Sequence, residues 1–234
     1  AAGNVVRENQ SRNEKTLWTQ NEKGDPVICY RAEDETSEAE FVCERIQSLC
    51  QEEGFSFNEI AILYRTNAQS RVMEDMLRKA AIPYQVIGGL RFYERKEIKD
   101  VLAYMRVLIN PDDSVSLKRI INIPARGIGK TSLEKVEVFC EKKGITLLEG
   151  LRQVGKERLL GTAATGKIGN FISILDHLDS VYMQSNPLEL LTEVIGRSGY
   201  ATMLKNEDTR ESKGRMENRN ELYSAVEQLV ENEN

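Results

Sequence analysis

The chain has 234 residues, 40% of them hydrophobic and 29% charged, with a formal net charge of −5. That balance describes a folded globular chain of one large domain or two ordinary ones, and it argues against disorder and against indiscriminate binding of polyanions. No apolar run approaches the roughly 18 residues that a membrane-spanning helix needs. The opening Ala1-Ala2-Gly3-Asn4 has no initiator Met, basic stretch or apolar run. The expectation is no signal peptide, a cytoplasmic location, and a chain cut from something longer.

In chain order, Val27-Ile28-Cys29-Tyr30 behind Gly24-Asp25-Pro26 reads as a strand. Ser37 with Glu40 makes a capping box, followed at helical spacing by Ala39, Val42, Cys43, Ile46, Leu49 and Cys50. Ile60-Ala61-Ile62-Leu63-Tyr64 is a continuous apolar run of the kind buried in a parallel sheet. Asn67 is placed to cap a helix carrying Val72, Met73, Met76, Leu77 and Ala80, which ends before Pro83. Tyr84-Gln85-Val86-Ile87 is another strand, closed by Gly88-Gly89. Alternation of strand and helix over residues 27–87 predicts an α/β unit with a parallel sheet. A helix from about Glu94 to Ile109 follows and stops at Asn110-Pro111. From there the pattern is helical almost throughout, punctuated by Pro124, Gly127, Gly129, Gly144, Gly161 and Pro187. The predicted division is an α/β part over residues 1–109 and an all-α part over residues 110–234.

Cys29, Cys43, Cys50 and Cys140 form no CxxC pair, and His177 is the only histidine. The expectation is free thiols in a reducing compartment, no metal site, and a helix-surface role for His177. Charge is unevenly spread. Residues 114–172 hold 11 Lys/Arg against 5 Asp/Glu, whereas residues 31–60 hold 2 Arg against 9 Asp/Glu. A basic block in an acidic chain suits a nucleic-acid footprint, and equally a solvated helical surface. Gly161-Thr162-Ala163-Ala164-Thr165-Gly166-Lys167 matches a phosphate loop until Ile168, which has no hydroxyl for a magnesium ion. Gly129-Lys130-Thr131 has the right ending, but Pro124 stands where the first glycine is required. No catalytic residue, metal ligand or intact ATP site is expected within the chain.

The segment from Lys118 through Ile123-Pro124-Ala125-Arg126-Gly127-Ile128-Gly129-Lys130-Thr131-Ser132 reads as a helix, a tight glycine turn and a second helix. Glycines let the backbone approach a polyanion, and the start of the second helix offers free N–H groups to a phosphate. Arg126 and Lys130 flank that point with full charges. A side chain at Gly129 is expected both to strain the turn and to block the approach. This is the logic of a helix-hairpin-helix gripping DNA backbone without reading bases; a plain helical corner with a glycine cap fits the same residues.

The stretch EIAILYRTNAQSRVMEDMLRKAAIPYQVIGGLRFYERKEIKDVLAYMRVLINPDD, followed by SLKRIINIPARGIG, closely resembles the UvrD/PcrA group of superfamily 1 DNA helicases. The likeness is dense over residues 59–133 and continuous, though weaker, to both ends. It implies part of the second RecA-like motor domain (2A) followed by the helical domain inserted into it (2B). The implied fold is α/β plus all-α: an incomplete RecA-like parallel sheet, then a helical domain with a helix-hairpin-helix-like element. The Walker motifs are expected upstream and the arginine that senses the γ-phosphate downstream, with residues 1–6 matching the helix that follows a Tyr-Arg-Ser-Thr motif. Carried over by position, single-strand contacts fall on Tyr64, Arg65, Asn67 and Arg91, and duplex contacts on Arg126, Gly127, Ile128, Gly129, Lys130 and Thr131. Physically, Arg65 and Asn67 stand where ligands of open α/β sheets sit, and Arg91 beside Phe92 and Tyr93 suits a sugar-phosphate chain with splayed bases. Packing between sheet and helix is the expected role of Phe92. The implied activity is that of an ATP-dependent 3′–5′ DNA helicase, with ATP and magnesium bound only by the intact enzyme. Implied partners are single-stranded and duplex DNA, with repair, replication-initiator or transcription proteins docking through the helical domain. The rival is a stand-alone duplex-binding or partner-docking module without a motor.

Overall fold

The computed structural model describes Gln20 and residues 24–232, so the match at residues 1–6 lies outside the described residues. The first helix, α1, spans Glu35–Glu52 and starts one turn earlier than the Ser37–Glu40 pattern suggests. Asp34 is its cap: its carboxylate accepts the Ser37 N–H at 2.7 Å, and that hydrogen bond holds the Asp34 carboxyl below its usual range. Thr66 and Gln69, rather than Asn67, make the reciprocal cap of a short 3-10 turn, Asn67–Gln69, which leads into α2 (Ser70–Lys79). Cys43 and Ile46 of α1 meet Leu77 and Ile82 in a small core.

No strand occurs among the described residues, which corrects the predicted parallel sheet. The three apolar runs carry no regular secondary structure, and the third ends in a bend at Ile87. In two of them Ile60 and Ile62, and Tyr84 and Val86, face inward, while Leu63 is 94% exposed and Ile87 faces solvent. An extended segment becomes a strand only when a neighbour takes its N–H and C=O groups. Apolar content reports a preference for burial and cannot supply that neighbour. The first run lies exposed, Val27 at 82% and Ile28 at 74%, and only Tyr30 of the run is seen to stack, on Phe41 at 3.9 Å between ring centroids.

A 3-10 turn, Phe92–Glu94, precedes α3 (Lys96–Ile109), which stops before Pro111. Beyond it lie α4 (Ser114–Ile120), α5 (Lys130–Lys143), α6 (Leu147–Gln153), α7 (Thr162–Tyr182), α8 (Pro187–Arg197), α9 (Tyr200–Glu207) and α10 (Arg210–Asn232). Their caps are legible locally. Asp113 starts α4, Thr146 with Glu149 starts α6, Asn186 with Glu189 and Pro187 starts α8, and left-handed Gly144 ends α5. A large core joins Phe92, Ile98 and Tyr104 to Leu117, Ile120, Val136, Phe171, Leu178, Leu191 and Leu222. It begins at Phe92 and takes in α3. Phe92 is fully buried, as its packing role requires.

The last helix returns to the first part of the chain. Arg71 of α2 is buried; its Nε pairs with Glu221 at 2.6 Å and its Nη2 donates to Gln228 at 3.2 Å. Asn218 of α10 accepts from Arg95 at 2.6 Å and donates to Glu97 at 2.5 Å. The four cysteines are free, and none of the described helices is long and apolar enough to cross a membrane.

Candidate nucleic-acid interface

Two surfaces carry the residues singled out by the sequence. The first is a groove of about 760 Å³ between the segments at 60–64 and 84–87, floored by Ile46, Met73 and Leu77. Tyr64, Asn67, Glu74 and Tyr84 all line it. The N–H groups of Arg65 and Thr66 both donate to Gln69 Oε1, at 2.9 and 3.0 Å, which pins the backbone under Arg65. The Arg65 side chain is exposed, as is that of Arg91, whose guanidinium lies 5.2 Å from the Tyr84 ring centroid. Burial raises the Tyr84 phenol above its usual pKa, and the Glu74 carboxylate adds to that shift. Tyr93 is exposed at the edge, with Arg78 over its ring at 5.6 Å. The structure thus sets Tyr64 and Asn67 along the same groove as the aromatic ring that supports Arg91.

The second surface is the turn between α4 and α5. Arg126 does not face solvent there. Its Nη1 donates to the carbonyls of Ile120 at 2.9 Å, Pro124 at 3.2 Å and Ile121 at 3.4 Å. Its Nη2 donates to Tyr104 Oη at 2.7 Å and to the Ser198 carbonyl at 2.8 Å, and the guanidinium lies 5.3 Å from the Phe171 ring centroid. The charge placed beside a phosphate by the sequence is therefore spent on holding the turn. Asn122 completes the staple, its Oδ1 accepting the N–H groups of Arg126 at 2.8 Å and Ile128 at 3.2 Å. Ile128 is buried in the large core.

Strain in this turn belongs to Gly127 and not to Gly129. Gly127 has φ +69°, and a Cβ there would meet Lys167 Nζ at 2.7 Å. Gly129 has φ −79° and ψ 160°, an ordinary extended backbone, with open space where its Cβ would stand. Gly129 caps α5, and among the described residues the N–H groups of Gly129, Lys130 and Thr131 find no acceptor. Lys130 is 89% exposed and loosely paired with Glu134 at 3.7 Å; Thr131 is exposed. Lys167 of α7 arrives from 40 residues away, its stem over Gly127 and its ammonium donating to the Gly127 carbonyl at 3.2 Å.

Sequence reasoning missed Asn122, Tyr104 and Lys167. Lys167 had drawn attention only as the end of the phosphate-loop match. That match is helical: α7 begins at Thr162 with Gly161 as its cap, and Ile168 is buried. These residues do not fit a nucleotide–magnesium site. Among the described residues no group of three His, Cys, Asp or Glu side chains could hold a metal ion. Part of the basic block is locally neutralised, with Lys118 on Glu137 at 2.5 Å, Arg119 on Asp100 at 2.7 Å and Arg152 on Asp176 at 2.6 Å. His177, half-buried on α7, meets Glu193 at 3.1 Å.

Comparison with known proteins agrees with the resemblance drawn from residues 59–133. The family model of the UvrD-like helicase C-terminal domain matches residues 1–234. The chain is 39% identical over 226 residues to the ATP-dependent DNA helicase PcrA of Bacillus subtilis (strain 168), covering 97% of this chain and 30% of that protein. It is 41% identical over 232 residues to PcrA of Staphylococcus epidermidis (strain ATCC 12228 / FDA PCI 1200), and 40% identical over 234 residues to PcrA of Staphylococcus aureus (strain Mu50 / ATCC 700699). Each of those two matches covers 99% of this chain and 32% of the relative, so the chain spans about a third of the length of these proteins. With its whole length inside one family model, the chain belongs to the UvrD-like helicase C-terminal domain family.

Proposed function

We propose that this chain is the DNA-holding part of an ATP-dependent 3′–5′ DNA helicase acting in the bacterial cytoplasm. Residues 1–109 contact single-stranded DNA through Tyr64, Arg65, Asn67 and Arg91, and residues 110–234 grip duplex backbone at the α4–α5 turn. ATP and magnesium belong to the intact enzyme and not to these residues. The observation that carries the reading is the start of α5, where three backbone N–H groups stand open beside the exposed Lys130. A helix N-terminus with free donors and a flanking cation attracts phosphate whatever the base sequence. Lys167 takes the place that Arg126 vacates as the second cation there.

Lys130→Ala is expected to weaken duplex binding by on the order of 1 kcal/mol and to flatten the salt dependence by about one unit, as for one lost phosphate contact. Lys167→Met keeps the apolar stem over Gly127 and removes the charge with its exposed hydrogen bond to the Gly127 carbonyl, so it should act similarly with only a small change in melting temperature. Duplex affinity measured from low to moderate salt tests both. An unchanged salt slope in the two variants would reduce the turn to a structural corner. For the groove, Arg65→Ala and Arg91→Ala should each weaken single-strand binding and lower its salt slope, with duplex binding unaltered. Parental single-strand affinity at low salt in both would remove these two residues from the interface.

A further inference from the structure

Glu74 is a buried carboxylate to which the reading above gives no task. It is only 5% exposed, yet it sits one turn into α2 and, among the described residues, no Lys or Arg is bonded to it directly. A buried charge is costly unless donors surround it. The donors here come from three separate segments. Ser70 Oγ, at the start of α2, donates at 2.7 Å. Tyr84 Oη, from the segment across the groove, donates at 3.2 Å. The backbone N–H of Phe92 donates to both carboxylate oxygens, at 3.2 and 3.3 Å.

Arg91 stands between the last two of these donors. Its guanidinium lies on the ring of Tyr84, and its peptide neighbour is the N–H of Phe92. Buried Arg95 braces the same segment from the other side: Nε donates to the Leu90 carbonyl at 3.4 Å and Nη2 to Ser70 Oγ at 2.7 Å. The chain enters this segment through Gly88, whose φ is +75°, and Gly89, and the exposed Leu90 does not anchor it in a core. Without the carboxylate, a cation on such a segment would lose much of its binding to the ordering of its own backbone.

We infer that Glu74 is a positioning residue for single-strand binding: it ties together the Tyr84 ring and the Phe92 amide so that Arg91 is presented ready-made to a phosphate. The inference rests on the single-strand reading of Arg91. A carboxylate suits the task because it only accepts, and its two oxygens take all of these donors at once. A glutamine at this position would turn an N–H₂ toward one of them.

The test is a double-mutant cycle on the full chain, reading affinity for an oligothymidylate against salt alongside urea denaturation. Arg91→Ala should weaken binding several-fold and lower the salt slope by about one unit. Glu74→Gln should weaken it several-fold in the parent and add nothing in the Arg91→Ala background, while its effect on denaturation is the same in both. Tyr84→Phe keeps the ring and cuts one tether, so a smaller loss is expected with the same dependence on Arg91; it decides the matter if Glu74→Gln does not fold. Equal losses with and without Arg91 would show that Glu74 merely supports the fold and would overturn the inference. Parental binding by Glu74→Gln, with Arg91→Ala impaired, would overturn it as well and leave the single-strand reading standing. Parental binding by Arg91→Ala would remove that reading and the inference together.

Discussion

Replacing Arg126 by alanine should be among the most destabilising single changes in the chain, although a surface role is what its place in a basic glycine turn suggests. Its guanidinium donates to carbonyls at Ile120, Pro124 and Ser198 and to the Tyr104 hydroxyl. Truncation removes a charged donor from all of those acceptors at once, at a half-buried site. Hydrogen bonds to a charged group contribute about 1.5–3 kcal/mol each, and overlapping losses are not additive, so about 3–4 kcal/mol is expected in total. For a chain of this length that is a fall in melting temperature of roughly 10 °C. Arg126→Lys should recover little, because an ammonium at one point cannot reach carbonyls on both sides of the turn as a planar fork does. The Tyr104 phenol supplies a second reading. Burial pushes it up while the guanidinium pulls it back, so it should titrate higher still in a folded Arg126→Ala variant. A loss in urea denaturation below about 1 kcal/mol would mean that the guanidinium is not engaged in solution, since surface substitutions rarely exceed 0.5 kcal/mol.

Gly129→Val is expected to give the opposite pattern. The backbone at Gly129 is extended, a region that β-branched residues favour, and nothing stands within 4 Å of the added Cβ. No strain is therefore introduced, and the expected cost to folding is the loss of a favourable cap residue, about 1 kcal/mol. The valine methyls would lie beside the open N–H groups of Lys130 and Thr131 and keep a phosphate from reaching them. Loss of that contact should lower duplex affinity about tenfold, or ~1.4 kcal/mol, with single-strand affinity unchanged. Sequence preference should not move in either direction, because the turn touches backbone and no base edge. Duplex affinity equal to the parent's, in a variant shown by its melting curve to be folded, would show that the α5 terminus does not meet DNA.

The pair of predictions reverses what glycine and arginine content alone suggests for this turn, and the reasons are particular. Arg126 looks like a phosphate ligand because it borders a glycine turn in a basic block. What takes it inward is the set of carbonyls gathered where a helix ends at Ile120 and the chain bends around Pro124, with Ser198 brought in from a helix end 72 residues away. The two glycines are alike on paper. Only the backbone shows that one adopts a positive φ under Lys167 while the other has free space.

Local signals held where the partner of a group lies within a few residues of it. The stop before Pro111 is such a case, and the caps that the structure shows at Asp113, Thr146 and Asn186 are of the same local kind, each closed by a bond to a residue two or three positions on. Even there a neighbour decided the detail, as when Asp34 rather than Ser37 captured the start of α1. The apolar runs show the limit: alternation of Ile60, Ile62, Tyr84 and Val86 reports which face is buried, while sheet formation depends on a backbone partner that no local pattern encodes.

By itself, then, the sequence determined the family, the helical character of the second part, the stop before Pro111, and the short stretches on which DNA contacts are proposed. Those are properties of collinear motifs and local hydrogen bonds. Only the tertiary structure decided that the apolar runs stay unpaired, that α3 joins the large core, that Arg126 is a staple while Lys167 reaches the turn, and that Glu74 ties Tyr84 to the backbone beside Arg91. Each of these depends on which distant group arrives to satisfy a buried donor, acceptor or apolar face, and that is set by how the helices pack.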